Sequence, residues 1–214
     1  FARGTFFRKC CKCLFEHFHY TTSGIEVSFF YAKSRTCSFI VNYTNIFPKD
    51  ICNKNSLLNL SSVIHEIYSY CSTDEVKEFW DNVFLSGFDY VSIRDMCISE
   101  NVYRLTNITD YWKLINAADK NQIRDFEHNW GSLMRNNNFL HFLMKYKYIE
   151  NWDREVKENY FPITLEELLK KIPSDYEIAY IETYCLPYLK SIVEKDFGIN
   201  INDNTHVKLL LKRK

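Results

Sequence analysis

Glycine and proline are scarce in this 214-residue chain, at five and four residues, and the formal charges cancel to zero. Nucleotide-binding loops need clustered glycines to bring backbone close to phosphate, so P-loop and dinucleotide-binding functions are excluded and no nucleotide cofactor is expected. No segment approaches the ~18 consecutive apolar residues that a membrane-spanning helix requires. His65-Glu66 has no second histidine four positions on, and no Gly-x-Ser-x-Gly elbow occurs, which removes the common zinc-protease and hydrolase signatures. Scarce glycine also counts against an enzyme, because active-site loops often use positive φ or close backbone approach. A balanced charge argues against a general nucleic-acid coat.

What is present suits a folded protein. Hydrophobic residues make up 46% and charged residues 25%, enough for one domain with a substantial core. Aromatics are in surplus, with 17 Phe and 15 Tyr. Phe, Tyr, Asn, Ile and Lys draw on codons rich in A and T, so the composition reflects an AT-rich genome. Eight cysteines show no regular framework spacing, and Cys71, Cys97 and Cys185 sit in apolar runs as reduced thiols do. A reducing, cytoplasmic location is expected. The chain starts at Phe1, so it does not report on an upstream targeting segment.

The pattern reads as an α+β fold, predominantly α-helical: an N-terminal β-hairpin carrying a basic Cys/His arm (1–53), followed by a helical domain (54–214) of about six helices. Residues 25–33 and 37–43 are the hairpin strands, rich in aromatic and β-branched side chains. Ser72-Thr-Asp-Glu75 and Thr164-Leu-Glu-Glu167 match the capping box that opens a helix. Helices are expected after Ser72 to near Gly87, over 108–118 and 122–134, and over 174–197, with a terminal strand over 207–211. In the 174–197 segment, Ile178, Ile181, Cys185, Leu189 and Ile192 form one stripe, while Tyr176, Tyr180, Tyr184 and Tyr188 recur every four residues.

Three constellations could bind something. The first is the arm, where Arg3, Arg8, Lys9 and Lys12 carry only positive charge and Cys10-x-x-Cys13 precedes His17 and His19. A Cys-x-x-Cys turn supplies two zinc ligands, so one structural zinc on Cys10, Cys13, His17 and His19 is one expectation; Cys37 or Cys52 could replace an imidazole. Packed reduced thiols are the other. The second is the tyrosine stripe, since tyrosine buries a large ring while keeping its hydroxyl bonded at an interface. The third is the basic tail of Lys208, Lys212, Arg213 and Lys214.

Arg135-Asn-Asn-Asn-Phe-Leu-His141 resembles the arginine, polar residue and histidine motif of the HEPN-domain ribonucleases. That resemblance covers seven residues. It implies a metal-independent RNA cleavage in which Arg135 stabilises the phosphorane charge and His141 acts as general acid or base.

These features favour a non-catalytic factor that docks on a larger protein or ribonucleoprotein assembly, such as a ribosome, through basic termini and aromatic surfaces. RNA contact would run through the charged ends. The HEPN-like nuclease is the alternative from the enzyme class. A parasite or viral protein binding host proteins is a third reading, resting on composition alone.

Overall fold

A computed structural model describes residues 56–214 in full, together with the backbone of two strands before them, β1 (Cys13–Thr22) and β2 (Ile25–Ser34). These two strands pair antiparallel, and β2 runs parallel to a third, β3 (Leu57–Ser61). The second strand expected over 37–43 lies outside the described residues. From residue 56 onward the chain is mixed α/β, with eight α-helices and four strands among the described residues. The helical domain expected over 54–214, with a strand only over 207–211, is therefore corrected to this mixed architecture. The chain divides into two units: residues up to Asp95 with Leu169–Glu182 and Lys208–Lys214, and Met96–Leu168 with Thr183–Val207.

The first unit is built on the sheet. β3 alternates strictly, with Leu58 and Leu60 buried between half-exposed neighbours, and β4 (Tyr90–Met96) repeats this with Val91, Ile93 and Asp95. Period-two burial is the mark of a strand covered on one face. β3 and β4 run parallel, so the chain must cross over between them, and it does so through α1 (Ile64–Tyr70) and α2 (Thr73–Leu85). The capping box at Ser72 forms as expected: its hydroxyl accepts from the Glu75 amide while Glu75 Oε2 accepts from the Ser72 amide at 2.8 Å. α2 buries Phe79, Trp80 and Val83, and the chain leaves it through Gly87 at φ +68°, where a side chain would be strained.

The sheet continues as β3-β4-β6-β5, with β6 (His206–Arg213) between β4 and the edge strand β5 (Tyr176–Tyr184). The Arg213 amide donates to Asp89 O and the Cys97 amide to Thr205 O, which makes β6 antiparallel to β4. Strand β6 was legible in the sequence; β5 was not. Residues 176–184 are extended, and only 187–197 are helical, as α8 (Pro187–Phe197). The physical reason lies in the spacing. Tyrosines four apart share a helix face, but four is also a multiple of two, so they share a strand face equally well. Pro187 begins α8 at its first position, where its missing N–H costs nothing, and does not bend a longer helix.

The second unit is helical. α3 (Ile108–Ala117), α4 (Lys120–Trp130), α5 (Asn136–Lys145), α6 (Trp152–Glu155) and α8 enclose a core that includes Leu114, Phe126, Phe142 and Val193. Asn107 caps α3 and Asp119 caps α4, each accepting from two first-turn amides. α4 stops four residues short of the expected end because Gly131 takes φ +83°. The second capping box also forms, with the Thr164 amide donating to Glu167 Oε2 and the Glu167 amide to Thr164 Oγ1, opening α7 (Leu165–Lys170).

Candidate functional site

The tyrosines of the expected helical stripe separate by burial. Tyr176 is 4% exposed; its hydroxyl donates to Phe88 O at 2.8 Å and its ring meets Phe84 edge-on. It is a core residue of the sheet unit and cannot meet a partner. Beyond it, Glu177 to Ile181 are exposed without interruption, and Ile178, Tyr180 and Ile181 are 46%, 50% and 41% accessible. Successive strand residues face opposite sides, so this edge strand offers apolar surface on both its faces. Tyr180 donates to Glu182 at 2.9 Å, which holds its phenol above the usual range. In the other unit Tyr184 stacks on His206, and Tyr188 stands 73% exposed in the first turn of α8.

The basic tail is a strand. Lys208 pairs with Glu182 at 3.0 Å and Lys212 with Glu177 at 3.7 Å, both across β6 and β5. Arg213 donates to Gly87 O at 2.6 Å, and Lys214 donates to Ser174 O at 2.7 Å. Each of the four cations thus already has an acceptor within its own unit. Screened surface pairs add little stability, but the tail is held against the sheet and is not a loose arm.

Arg135 and His141 are not brought to a common surface. Arg135 is exposed and takes the N-cap position of α5. His141 is 3% exposed, with the rings of Phe126, Trp130, Tyr160 and Phe161 around it at 4.8–5.6 Å. Its Nε2 lies 3.2 Å from both the Tyr160 amide and the Glu158 carbonyl. Burial, with Lys145 nearby, pushes its pKa well below the ordinary value. A histidine so enclosed reaches no phosphate, and the geometry gives the nuclease reading no support.

One turn further along α5 is a side chain that the sequence reading missed. Lys145 is fully buried, and its ammonium donates to the carbonyls of Glu155 and Glu158, which close α6. Tyr160 lies 4.3 Å below it and donates to Glu155. Desolvation pulls the Lys145 pKa down to about 7. This lysine ties α5 to the end of α6, filling the place of a helix C-cap. A second buried pair was also missed: Asp95 Oδ2 accepts from the amides of Val63 and Ile64, and its Oδ1 lies 2.7 Å from His65 Nδ1. A carboxylate from β4 thereby caps a helix whose own N-cap, Val63, has no oxygen to offer. Asp95 could have been noticed as the lone acid on the inward face of an alternating strand.

The arm residues Arg3, Arg8, Lys9, Cys10 and Lys12 lie outside the described residues, and so do the side chains of Cys13, His17 and His19 in β1. Among the described residues no three metal-binding side chains converge, and no helix is long and apolar enough to cross a membrane. Comparison with known protein families, with characterised proteins and with solved structures finds no match.

Proposed function

We propose that this chain is a non-catalytic docking protein that joins a larger assembly by adding strand β5 to an extended segment of a partner protein. The observation that carries this reading is the uninterrupted exposure of Glu177–Ile181 on the edge strand, with Ile178, Tyr180 and Ile181 accessible. An edge strand presents unpaired backbone groups that give affinity, and alternate side chains give register and choice of partner. Glu177 and Glu182, with Lys212 and Lys208 beside them, supply a charged rim. A ribonucleoprotein remains a fitting host, met at one of its protein surfaces. Direct grip on RNA by the tail is the weaker form of the idea, because those cations already serve acceptors of this chain.

The test is capture of partners from the source cell on the full chain, compared with the double variant Ile178→Lys, Ile181→Lys. Loss of the captured protein in the variant, with little change between low and high salt, is the expected result. Unchanged capture by the variant together with steep salt sensitivity would overturn it and return the contact to phosphate.

A further inference from the structure

The helical unit holds a cavity of about 370 Å³ that no part of the docking reading uses. It lies where two helices begin. Asn107, the N-cap of α3, and Asn136, the first residue of α5, both line it. The loop before α3 runs beside the start of α5, with the backbone N–H of Asn136 donating to Arg104 O at 2.9 Å. The segment after α8 brings in Asp203, whose Oδ2 accepts from the side chain of Asn136 at 3.0 Å.

Charge on this lining is already compensated. Arg104 Nη2 lies 2.9 and 2.7 Å from the two oxygens of Asp203, and Lys113 Nζ lies 3.3 Å from Asp110 Oδ1. An ion entering the space would give up hydration and find no opposite charge in surplus. Apolar surface is equally scant. Phe139, Leu140, Leu143, Ile199 and Ile201 are closed into the core, and of the lining residues Leu105 alone presents an exposed apolar side chain, 74% accessible.

What the lining does offer is hydrogen bonding of both signs. Asn136 is 7% exposed and uses its Nδ2 on Asp203, while its Oδ1 receives no hydrogen bond from a described residue. Thr106, 5% exposed, donates its hydroxyl to Leu133 O at 2.7 Å, and no described residue donates to its Oγ1. Asn107 accepts on Oδ1 from the amides of Thr109 and Asp110, and its Nδ2 has no acceptor among the described residues. Enclosed acceptors without donors are costly, and here two of them share one space with an open donor. A hydroxyl is the group that donates and accepts through a single atom without charge.

We infer that this cavity binds an uncharged polyhydroxyl ligand, a single hexose ring. Its hydroxyls donate to Asn136 Oδ1 and Thr106 Oγ1 and accept from Asn107 Nδ2, and its C–H face rests on Leu105. Size agrees: an apolar cavity of about 150 Å³ takes the six carbons of benzene, so about 370 Å³ accommodates the roughly twelve non-hydrogen atoms of a hexose. The proposal stands independently of the β5 interface, which lies in the other unit.

The experiment is saturation-transfer NMR, with titration, of the full chain against D-glucose, D-galactose and D-mannose. At least one should bind with a Kd in the low millimolar range, which a ligand of this size can reach. The same sugar carrying a carboxylate at C6 or an ammonium at C2 should bind at least about fivefold more weakly, because the lining has no charge to spare. Asn136→Ala should weaken the hexose by about tenfold, the scale of one enclosed hydrogen bond. Asn107→Ser keeps a capping oxygen for α3 and removes only the open donor, and should weaken it by about threefold to tenfold. No hexose bound at about 20 mM, tighter binding of either charged form, or unchanged affinity in Asn107→Ser would each overturn the assignment. Should circular dichroism show that Asn136→Ala does not fold, Asn107→Ser and the charged sugars decide.

Discussion

A lysine with no exposed surface is costly unless each ammonium hydrogen finds an acceptor, and Lys145 finds two carbonyls and a tyrosine face. Its folded pKa of about 7 lies below the unfolded value, so between pH 7 and 10 the unfolded chain holds a proton that the folded chain has lost. Stability must therefore rise with pH across that window and be lowest where the lysine is charged in both states. His141 acts in the same direction. Its pKa is depressed, so acidification below its ordinary value protonates the unfolded state first and weakens the fold further. Tyr160 works the other way: burial and the bond to Glu155 raise its pKa, and above about pH 10 the unfolded phenol ionises first. Thermal melting followed from pH 5 to 11 should show a maximum at alkaline pH. In Lys145→Met the rise between pH 7 and 10 should disappear; a neutral-pH maximum in the unaltered chain would contradict the assignment. His141→Ala should cost about 2–4 kcal/mol in denaturant titration, since it opens a void among four rings.

At the scale of the element, the features fixed by neighbours in sequence were the legible ones. Ser72 with Glu75, and Thr164 with Glu167, need only three residues of context, and both boxes form. Ser72→Ala should lower stability by about 1 kcal/mol, measured as a shift in denaturant midpoint with an unchanged slope. Strands β3 and β4 were harder to see, because Leu58-x-Leu60 and Val91-x-Ile93 are short alternations beside strongly helical stretches. Strand β5 was hidden by spacings that satisfy both periods, and it is the contacts with Phe84 and the Phe88 carbonyl that separate Tyr176, enclosed, from Tyr180, exposed. His141 could be anticipated in part, since Phe139 and Phe142 flank it. Lys145 could not be anticipated, because the carbonyls that receive it come from a segment ten and thirteen residues away.

At the scale of the molecule, the chain passes back and forth between its two units. The first gathers three separate stretches and the second gathers two. The seven residues 208–214 make up most of β6, which supplies Leu209 and Leu211 to the core of the first unit and separates β4 from β5. Deleting them should abolish cooperative unfolding of the sheet unit, seen as a lost or broadened transition in circular dichroism. Retention of a sharp transition would mean that β5 is not held through β6. The same topology limits what a docking experiment can use: a fragment carrying β5 alone has no sheet to be the edge of, and the whole chain is needed as bait.

The placement of β6 also governs how quickly this protein can be made. Strand β4 ends at Met96, and its antiparallel neighbour begins only at His206. Until that distant segment arrives, one side of β4 has no permanent occupant, and loops of such length close slowly. A newly synthesised chain therefore spends its early life with a hydrogen-bonding flank available to any passing strand, including that of another copy. Its yield in the cell should depend on chaperone supply and fall with expression rate, long before any property of the finished fold comes into play.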